Sequence, residues 1–193
     1  KFFLKRGIDT LIEKPFVLSI KESRDLINLK KKRKSKCWVA LQNRYNKAII
    51  KAREVIKGKK FGDPFLVDAA LYWHRSKKYY KTSWRGKYKS DGGVLFNQSI
   101  HLLDAIVRLF GPIKVFNAFA GFNPGKLQAE DLISINLKHE KKNLISNLKA
   151  TTRANRDYRM SLDVLCDKGR FIIKDLSLNK IFYFTKTYLK IDQ

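Results

Sequence analysis

The stretch from Asp91 to Gly111, Asp-Gly-Gly-Val-Leu-Phe-Asn-Gln-Ser-Ile-His-Leu-Leu-Asp-Ala-Ile-Val-Arg-Leu-Phe-Gly, constrains this chain more than any other. Gly92-Gly93 opens it, Gly111-Pro112 closes it, and its interior repeats at helical spacing, which predicts one continuous helix. At about 100° per residue, Asn97, His101, Asp104 and Arg108 share an arc of roughly 60°. Phe96, Ile100, Leu103, Val107 and Phe110 form an apolar stripe beside that arc, and Leu95, Leu102, Ala105, Ile106 and Leu109 fill most of the remainder. A helix that is apolar nearly all round is buried on most sides. Its one polar stripe must therefore face either a structural network or a ligand pocket.

The rest of the chain can build the core that such a helix needs. Of 193 residues 44% are hydrophobic and 13 are Phe, which excludes a disordered basic tail. No run of 18 apolar residues exists, so no membrane span is expected. Lys1-Phe-Phe-Leu-Lys-Arg6 is too short an apolar run for a signal peptide. Cys37 and Cys166 stand alone in apolar runs with neither metal-ligand spacing nor a neighbouring His, and read as buried, reduced thiols of a cytoplasmic protein. The net charge of +25 raises the question of nucleic acid. The basic residues are scattered from end to end and no nucleic-acid motif accompanies them, so nucleic acid is not the expected partner: the charge reads as a lysine-biased surface, and its field would equally suit an anionic small substrate.

Residues 9–57 alternate strand, helix, strand, helix, the rhythm of a parallel α/β layer. Asp9–Pro15 gives a short strand and a Pro-bounded turn, and Ser19-Ile-Lys-Glu22 is a capping box that opens a helix running to about Lys32. Cys37–Leu41 has the length of a buried strand, and Asn46–Lys57 is a second amphipathic helix closed by Gly58. Composition shifts near residues 58–64. Beyond lie a strand from Phe65 to Trp73, an aromatic and basic loop from His74 to Gly86, and the long helix. Six further strands follow, Lys114–Phe122, Asp131–His139, Asn143–Thr151, Tyr158–Cys166, Arg170–Lys174 and Lys180–Thr187. The expected architecture is a small parallel α/β unit over residues 1–60 and, over 61–193, an antiparallel meander with a helix packed on it.

His101 is the strongest single candidate for chemistry. Asn97 one turn before it and Asp104 one turn after are placed to fix the ring's tautomer, as a general acid/base requires. Arg108 reads as an i,i+4 partner of Asp104, which leaves Asp104 as support. Lys14, at the C-terminal end of a strand and held by Pro15, lies where open α/β sheets bind ligands. The 73–85 loop, with Tyr79, Tyr80, Arg75 and Arg85, can stack a sugar or base and clamp a phosphate. There is no Gly-x-Gly-x-x-Gly, Walker loop, Gly-x-Ser-x-Gly, His-Glu-x-x-His or Cys/His cluster, and no metal site is expected.

Three segments, in this order, resemble the Gfo/Idh/MocA oxidoreductases, the family of glucose–fructose oxidoreductase and inositol dehydrogenase. They are Ile12-Glu-Lys-Pro15, Trp84-Arg-Gly86 leading to Asp91-Gly-Gly93, and Asn97-Gln-Ser-Ile-His-Leu-Leu-Asp104 running on to Phe110-Gly-Pro112. Ala129-Glu-Asp131, Lys149-Ala-Thr-Thr152 and Asp167-Lys-Gly169 also fit. The resemblance implies the C-terminal part of an NAD(P)-binding Rossmann domain followed by a mostly antiparallel sheet domain that commonly mediates homo-oligomerisation. It implies Glu13, Lys14 and Pro15 at the cofactor, with Lys14 also supporting proton transfer. His101, near its ordinary pKa, would be the base that takes a hydroxyl proton as hydride leaves for NAD or NADP.

Many members carry Asp where this chain has Asn97. The Asn-Gln-x-Ile-His form, with Gln42-Asn-Arg-Tyr-Asn46 and the Tyr-Tyr…Trp-Arg-Gly loop, looks like the nucleotide-sugar branch, whose members oxidise the 3-hydroxyl of UDP-N-acetylglucosaminuronate for surface-polysaccharide synthesis. On that resemblance Asn97, Arg44, Asn46, Tyr80 and Arg85 are the substrate-side residues. The Gly-rich phosphate-binding turn, expected roughly a hundred residues before Lys14 in a complete doubly-wound domain, is absent. The expectation is a chain that begins inside the last third of the Rossmann domain and by itself neither holds NAD(P) tightly nor turns over. The alternative expectation is a non-catalytic basic binding or assembly module on the same fold.

Overall fold

The computed structural model describes residues 1–123, 127–184 and 189–192. The N-terminal segment forms a short helix α1 (Phe2–Lys5), strand β1 (Thr10–Ile12), helix α2 (Ile20–Arg33) and strand β2 (Cys37–Val39). The Ser19 hydroxyl accepts from the Glu22 N–H at 3.2 Å, while the Glu22 carboxylate reaches back to the Leu18 N–H, so the capping box forms one residue wide of its usual register. β1 and β2 pair in parallel, with Leu11 opposite Trp38. Cys37–Leu41 is not the buried strand that its apolar run suggests. Trp38 is 51% exposed and Leu11 69%, so this two-stranded ribbon keeps a bare apolar face. Cys37 is accordingly only half-buried, whereas Cys166 is buried, with its thiol pushed up to about 11 by burial and then by Asp167 and Asp63.

Helix α3 (Lys47–Lys57) comes next, then β3 (Pro64–Tyr72), a single turn α4 (Lys77–Tyr80), α5 (Gly93–Asn97) and α6 (Ile100–Phe110). Strands β4 (Ile113–Gly121), β5 (Leu132–His139), β6 (Ile145–Thr151), β7 (Arg159–Cys166), β8 (Gly169–Lys174), β9 (Lys180–Phe184) and β10 (Leu189–Asp192) complete the chain. Of the expected strand from Lys180 to Thr187, Lys180–Phe184 forms β9, and the rest lies outside the described residues. Among the described residues β3–β10 form an eight-stranded sheet in the order β10-β9-β8-β7-β3-β6-β5-β4.

One pairing departs from a meander. β3 lies between β7 and β6 and runs parallel to β6, Leu66 opposite Ile145 through Tyr72 opposite Thr151. Consecutive strands β6 and β7 are thus held apart by a strand from much earlier in the chain, which local alternation cannot reveal. Alternate residues Val67, Ala69 and Leu71, with Leu148, Ala150, Leu162 and Val164, are fully buried on the face that α6 covers with Leu102, Ala105, Ile106 and Leu109. α3 packs on β8, β9 and α6, and its Ala48, Ile49, Ala52 and Val55 belong to the same core, although the composition shift falls only after it.

The long helix is not continuous. It breaks at Gln98-Ser99, where the Ser99 N–H donates to the Val94 carbonyl five residues back at 2.8 Å, and the Ser99 hydroxyl donates to the Val94 and Leu95 carbonyls at 2.8 and 3.1 Å. A side chain that competes for backbone acceptors, and an i→i−5 turn, both bend helices. The Asn97 carbonyl, which would serve His101 in an unbroken helix, is turned to a different donor.

Candidate functional site

That donor is Lys14. The short segment after β1, with a cis Lys14–Pro15 peptide, carries the lysine to the α5–α6 break. There Nζ donates to the Asn97 main-chain oxygen at 2.7 Å and to Asn97 Oδ1 at 3.0 Å. Together with Trp73, His74, Arg75, Ser76, Tyr79 and Gln98, the trio Lys14, Asn97 and His101 lines an open pocket of about 420 Å³. Three residues read separately from the sequence therefore converge on one cavity.

His101 is 8% exposed, and its Nδ1 is buried without a hydrogen-bond partner. Burial, with the Lys14 charge adding to it, lowers its pKa from 6.5 to about 4, and Asp104 and Glu13 oppose the shift only in part. The ring is neutral at pH 7 by a wide margin rather than poised near its ordinary value. Neither expected partner holds it. Asn97 is committed to Lys14 and, through Nδ2, to the carboxylate of Asp91. Asp104 is gripped by Arg44, whose Nε and Nη2 donate at 2.8 and 2.5 Å. The Asp104 pairing with Arg108 thus gives way to a bidentate one from another element, and Arg108 is exposed.

Lys14 has a lowered pKa, because burial outweighs the help of Asp91 and Glu13, and Arg75 and Arg85 push the same way as burial. Asp91 is buried and its carboxyl is raised, by burial first, with the Gly86 and Asn97 hydrogen bonds acting against it. Behind it the start of α5 is clamped by Glu130, which accepts from the Leu95 N–H at 3.1 Å through its carboxylate and from the Val94 N–H at 2.9 Å through its main chain. Gly93 is required there. Its φ is +74°, and a Cβ would stand 2.2 Å from the Glu130 carboxylate.

Of the other sequence candidates, Glu13 adjoins Lys14 and lies close enough to bear on the titration of both Lys14 and His101. Pro15 closes the turn. Tyr80 and Arg85 line a neighbouring cavity of about 360 Å³. The Tyr80 hydroxyl shares a hydrogen bond with Thr152 at 2.8 Å, and burial raises its pKa. The Arg85 guanidinium lies 4.0 Å over the Tyr79 ring. Arg44 and Asn46 are not among the residues around the main pocket. Arg44 holds Asp104, and Asn46 donates to the Ser177 carbonyl. Two residues that stand in the sequence only as parts of motifs also belong to the site: Gln98 donates to the Tyr79 hydroxyl at 2.8 Å, and Asp91 accepts from the Asn97 amide. Asp91 carried a usable signal, a lone acid after a stretch from His74 to Ser90 that has seven Lys/Arg and no acid.

A family model described as the GFO/IDH/MocA C-terminal domain matches residues 49–172. The chain belongs to this family. Among solved structures, this GFO/IDH/MocA chain is similar to the WlbA dehydrogenase from Bordetella pertussis in complex with NADH and UDP-GlcNAcA. The TM-score is 0.89 at 23% identity over 97% of this chain and 58% of that one. It is also similar to an inositol dehydrogenase homolog from Azotobacter vinelandii complexed with NAD+, with a TM-score of 0.83, 15% identity, and 99% and 52% coverage. At such identities the likeness establishes the fold: mixed α/β with a mostly antiparallel sheet. An uncharacterized oxidoreductase of Schizosaccharomyces pombe is 26% identical over 108 residues, 56% of this chain and 29% of that protein. The chain thus spans just over half of the solved relatives and less than a third of the curated one. Among the described residues, no helix is long and apolar enough to cross a membrane.

Proposed function

We propose that the pocket between Lys14, Asn97 and His101 is the substrate half of a dehydrogenase site that oxidises a hydroxyl of a sugar or nucleotide-sugar, with the 3-hydroxyl of a UDP-linked uronate as the favoured substrate. The observation that carries this reading is one cavity holding an ammonium with an N–H to spare and a buried imidazole with no partner for Nδ1. NAD or NADP fits as cofactor at the nicotinamide end, where the Glu13-Lys14-Pro15 turn would hold it, and when bound it supplies the acceptor for the hydride. The similarity to structures that carry NADH or NAD+ supports that choice.

The chain's own groups do the proton chemistry. His101 is fully neutral at pH 7 and accepts the hydroxyl proton. The free N–H of Lys14 stabilises the oxygen as it becomes a carbonyl. Gln98, Tyr79 and Arg75 wall the pocket, and Tyr80 and Arg85 in the adjoining cavity suit the phosphorylated end of the substrate. An anionic sugar such as a uronate also serves the chemistry. Its carboxylate raises the depressed pKa values of both His101 and Lys14, which makes the imidazole a better base at the moment it is needed. Edge strand β4, which leaves Val115, Phe116 and Phe119 63–78% exposed, supports homo-oligomerisation through the sheet.

The test is turnover of UDP-linked uronates with NAD and NADP by protein carrying a complete dinucleotide-binding domain. Loss of turnover in His101→Ala and Lys14→Ala, with substrate binding retained, is the expected result. Intact turnover in His101→Ala would remove the acid/base assignment.

A further inference from the structure

Asp91 is 3% exposed and has no part in the chemistry above. Its two oxygens are committed to two donors: Oδ2 accepts from the Gly86 N–H at 2.7 Å, and Oδ1 accepts from Asn97 Nδ2. A carboxylate only accepts and an ammonium only donates, so an amide held between them has a single permitted orientation. Asn97 is that amide. Its Nδ2 faces Asp91 and its Oδ1 faces Lys14, which also donates to the Asn97 main-chain oxygen. Two of the three Lys14 N–H bonds are thereby taken, and one is left for a ligand.

We propose that Asp91 is a positioning residue, which fixes the Asn97 amide and through it the Lys14 ammonium with no hydrogen bond of its own to the lysine. As a contribution to catalysis this rests on the dehydrogenase reading; as a statement about the lysine it does not. The charged and titratable groups around Lys14 come from four places. They are Glu13 beside it, Asp91 ahead of α5, Arg75 and Arg85 from the 74–86 loop, and His101 on α6. Among them Asp91 is the foremost charge holding the proton on the lysine against burial.

Asp91→Asn tests the arrangement because it is nearly isosteric. The new amide keeps its oxygen on the Gly86 N–H and turns its NH2 toward Asn97. Asn97 must then present oxygen to it and its own NH2 to Lys14, donor against donor. Adding Asn97→Asp restores the order, since the amide at position 91 donates to the new carboxylate and that carboxylate accepts from Lys14. Acetylation of Lys14 in the 193-residue chain, followed peptide by peptide by mass spectrometry between pH 7 and 10, reads the state of the ammonium. Asp91→Asn raises the Lys14 rate at pH 8 by about threefold to tenfold, and the double variant, whose new carboxylate touches the ammonium directly, returns it to the parent rate or below. A merely structural Asp91 would not be rescued by moving the charge to position 97. An unchanged rate in a folded Asp91→Asn protein, or a double variant that stays as fast as the single one, overturns the proposal. Should the single variant fail to fold, the double decides alone: folded with the parent rate or a slower one supports the proposal, unfolded or faster than the parent overturns it. The measurement needs neither cofactor nor sugar, so it stands or falls separately from the His101→Ala test of the function.

Discussion

His101 and Asp104 sit one turn apart on the same stripe of the same helix, and the fold treats them in opposite ways. Asp104 is met by a bidentate guanidinium, with both of its oxygens used. His101 is just as closely packed yet has a buried ring nitrogen with no donor or acceptor opposite it. A buried polar group that is fully paired supports the structure, and one left without a partner is a cost that folds tolerate chiefly at functional sites. That contrast, rather than residue type, separates support from site along this helix.

The largest test of the contrast is His101→Ala, which should lower turnover by about 10²- to 10⁴-fold, the usual worth of a general acid/base, with little change in thermal midpoint. Next comes pH. The folded pKa of His101 is about 4 against 6.5. Between those values the unfolded chain binds the extra proton, so the stability from this group is full above about pH 6.5 and lost as pH falls through 4. The loss reaches up to about 3 kcal/mol. From pH 7 to 4 the unfolding free energy of the parent should fall by up to that amount more than that of His101→Gln, and an acid limb of kcat/KM near 6.5 would contradict it.

Arg44→Ala should behave as the mirror image. It leaves Asp104 with no cation and costs about 1–2 kcal/mol, since the arginine is itself half-exposed, while KM stays put. An Arg44→Ala protein of normal stability and raised KM would instead move Arg44 to the substrate, as the nucleotide-sugar resemblance implies. The smallest effect belongs to Arg108→Ala, which should lie within about 0.5 kcal/mol of the parent, because that exposed side chain does not hold Asp104.

Much of this was legible from local pattern. The capping box at Ser19, the Gly58 stop, the strands from Ile113 to Phe184 and the polar stripe itself all follow from periodicities that a few neighbouring residues set. The failures share a cause. The parallel β3–β6 pair, the bare face at Trp38 and the helix break at Ser99 depend on what lies opposite in space, or on a hydroxyl competing with backbone N–H groups for carbonyl acceptors. Asp91 reads from the sequence as a helix start and part of a motif, with no partner of its own, because only the folded loop brings the Gly86 N–H and the Asn97 amide to its two oxygens.

The sequence by itself determined that a buried helix would present His101 and Asp104 along one side, with Asn97 a turn ahead of them, and that a lysine would stand just past the end of β1. Helical geometry and hydrophobic burial act over a few residues and can be read from spacing. Tertiary structure decided which of those polar groups would be satisfied. The partners come from 60 residues away for Asp104 and 83 for Asn97, and nothing in local spacing ranks one distant donor above another. Arg44 reached the aspartate, Lys14 reached the asparagine, and the ring of His101 was left facing the pocket.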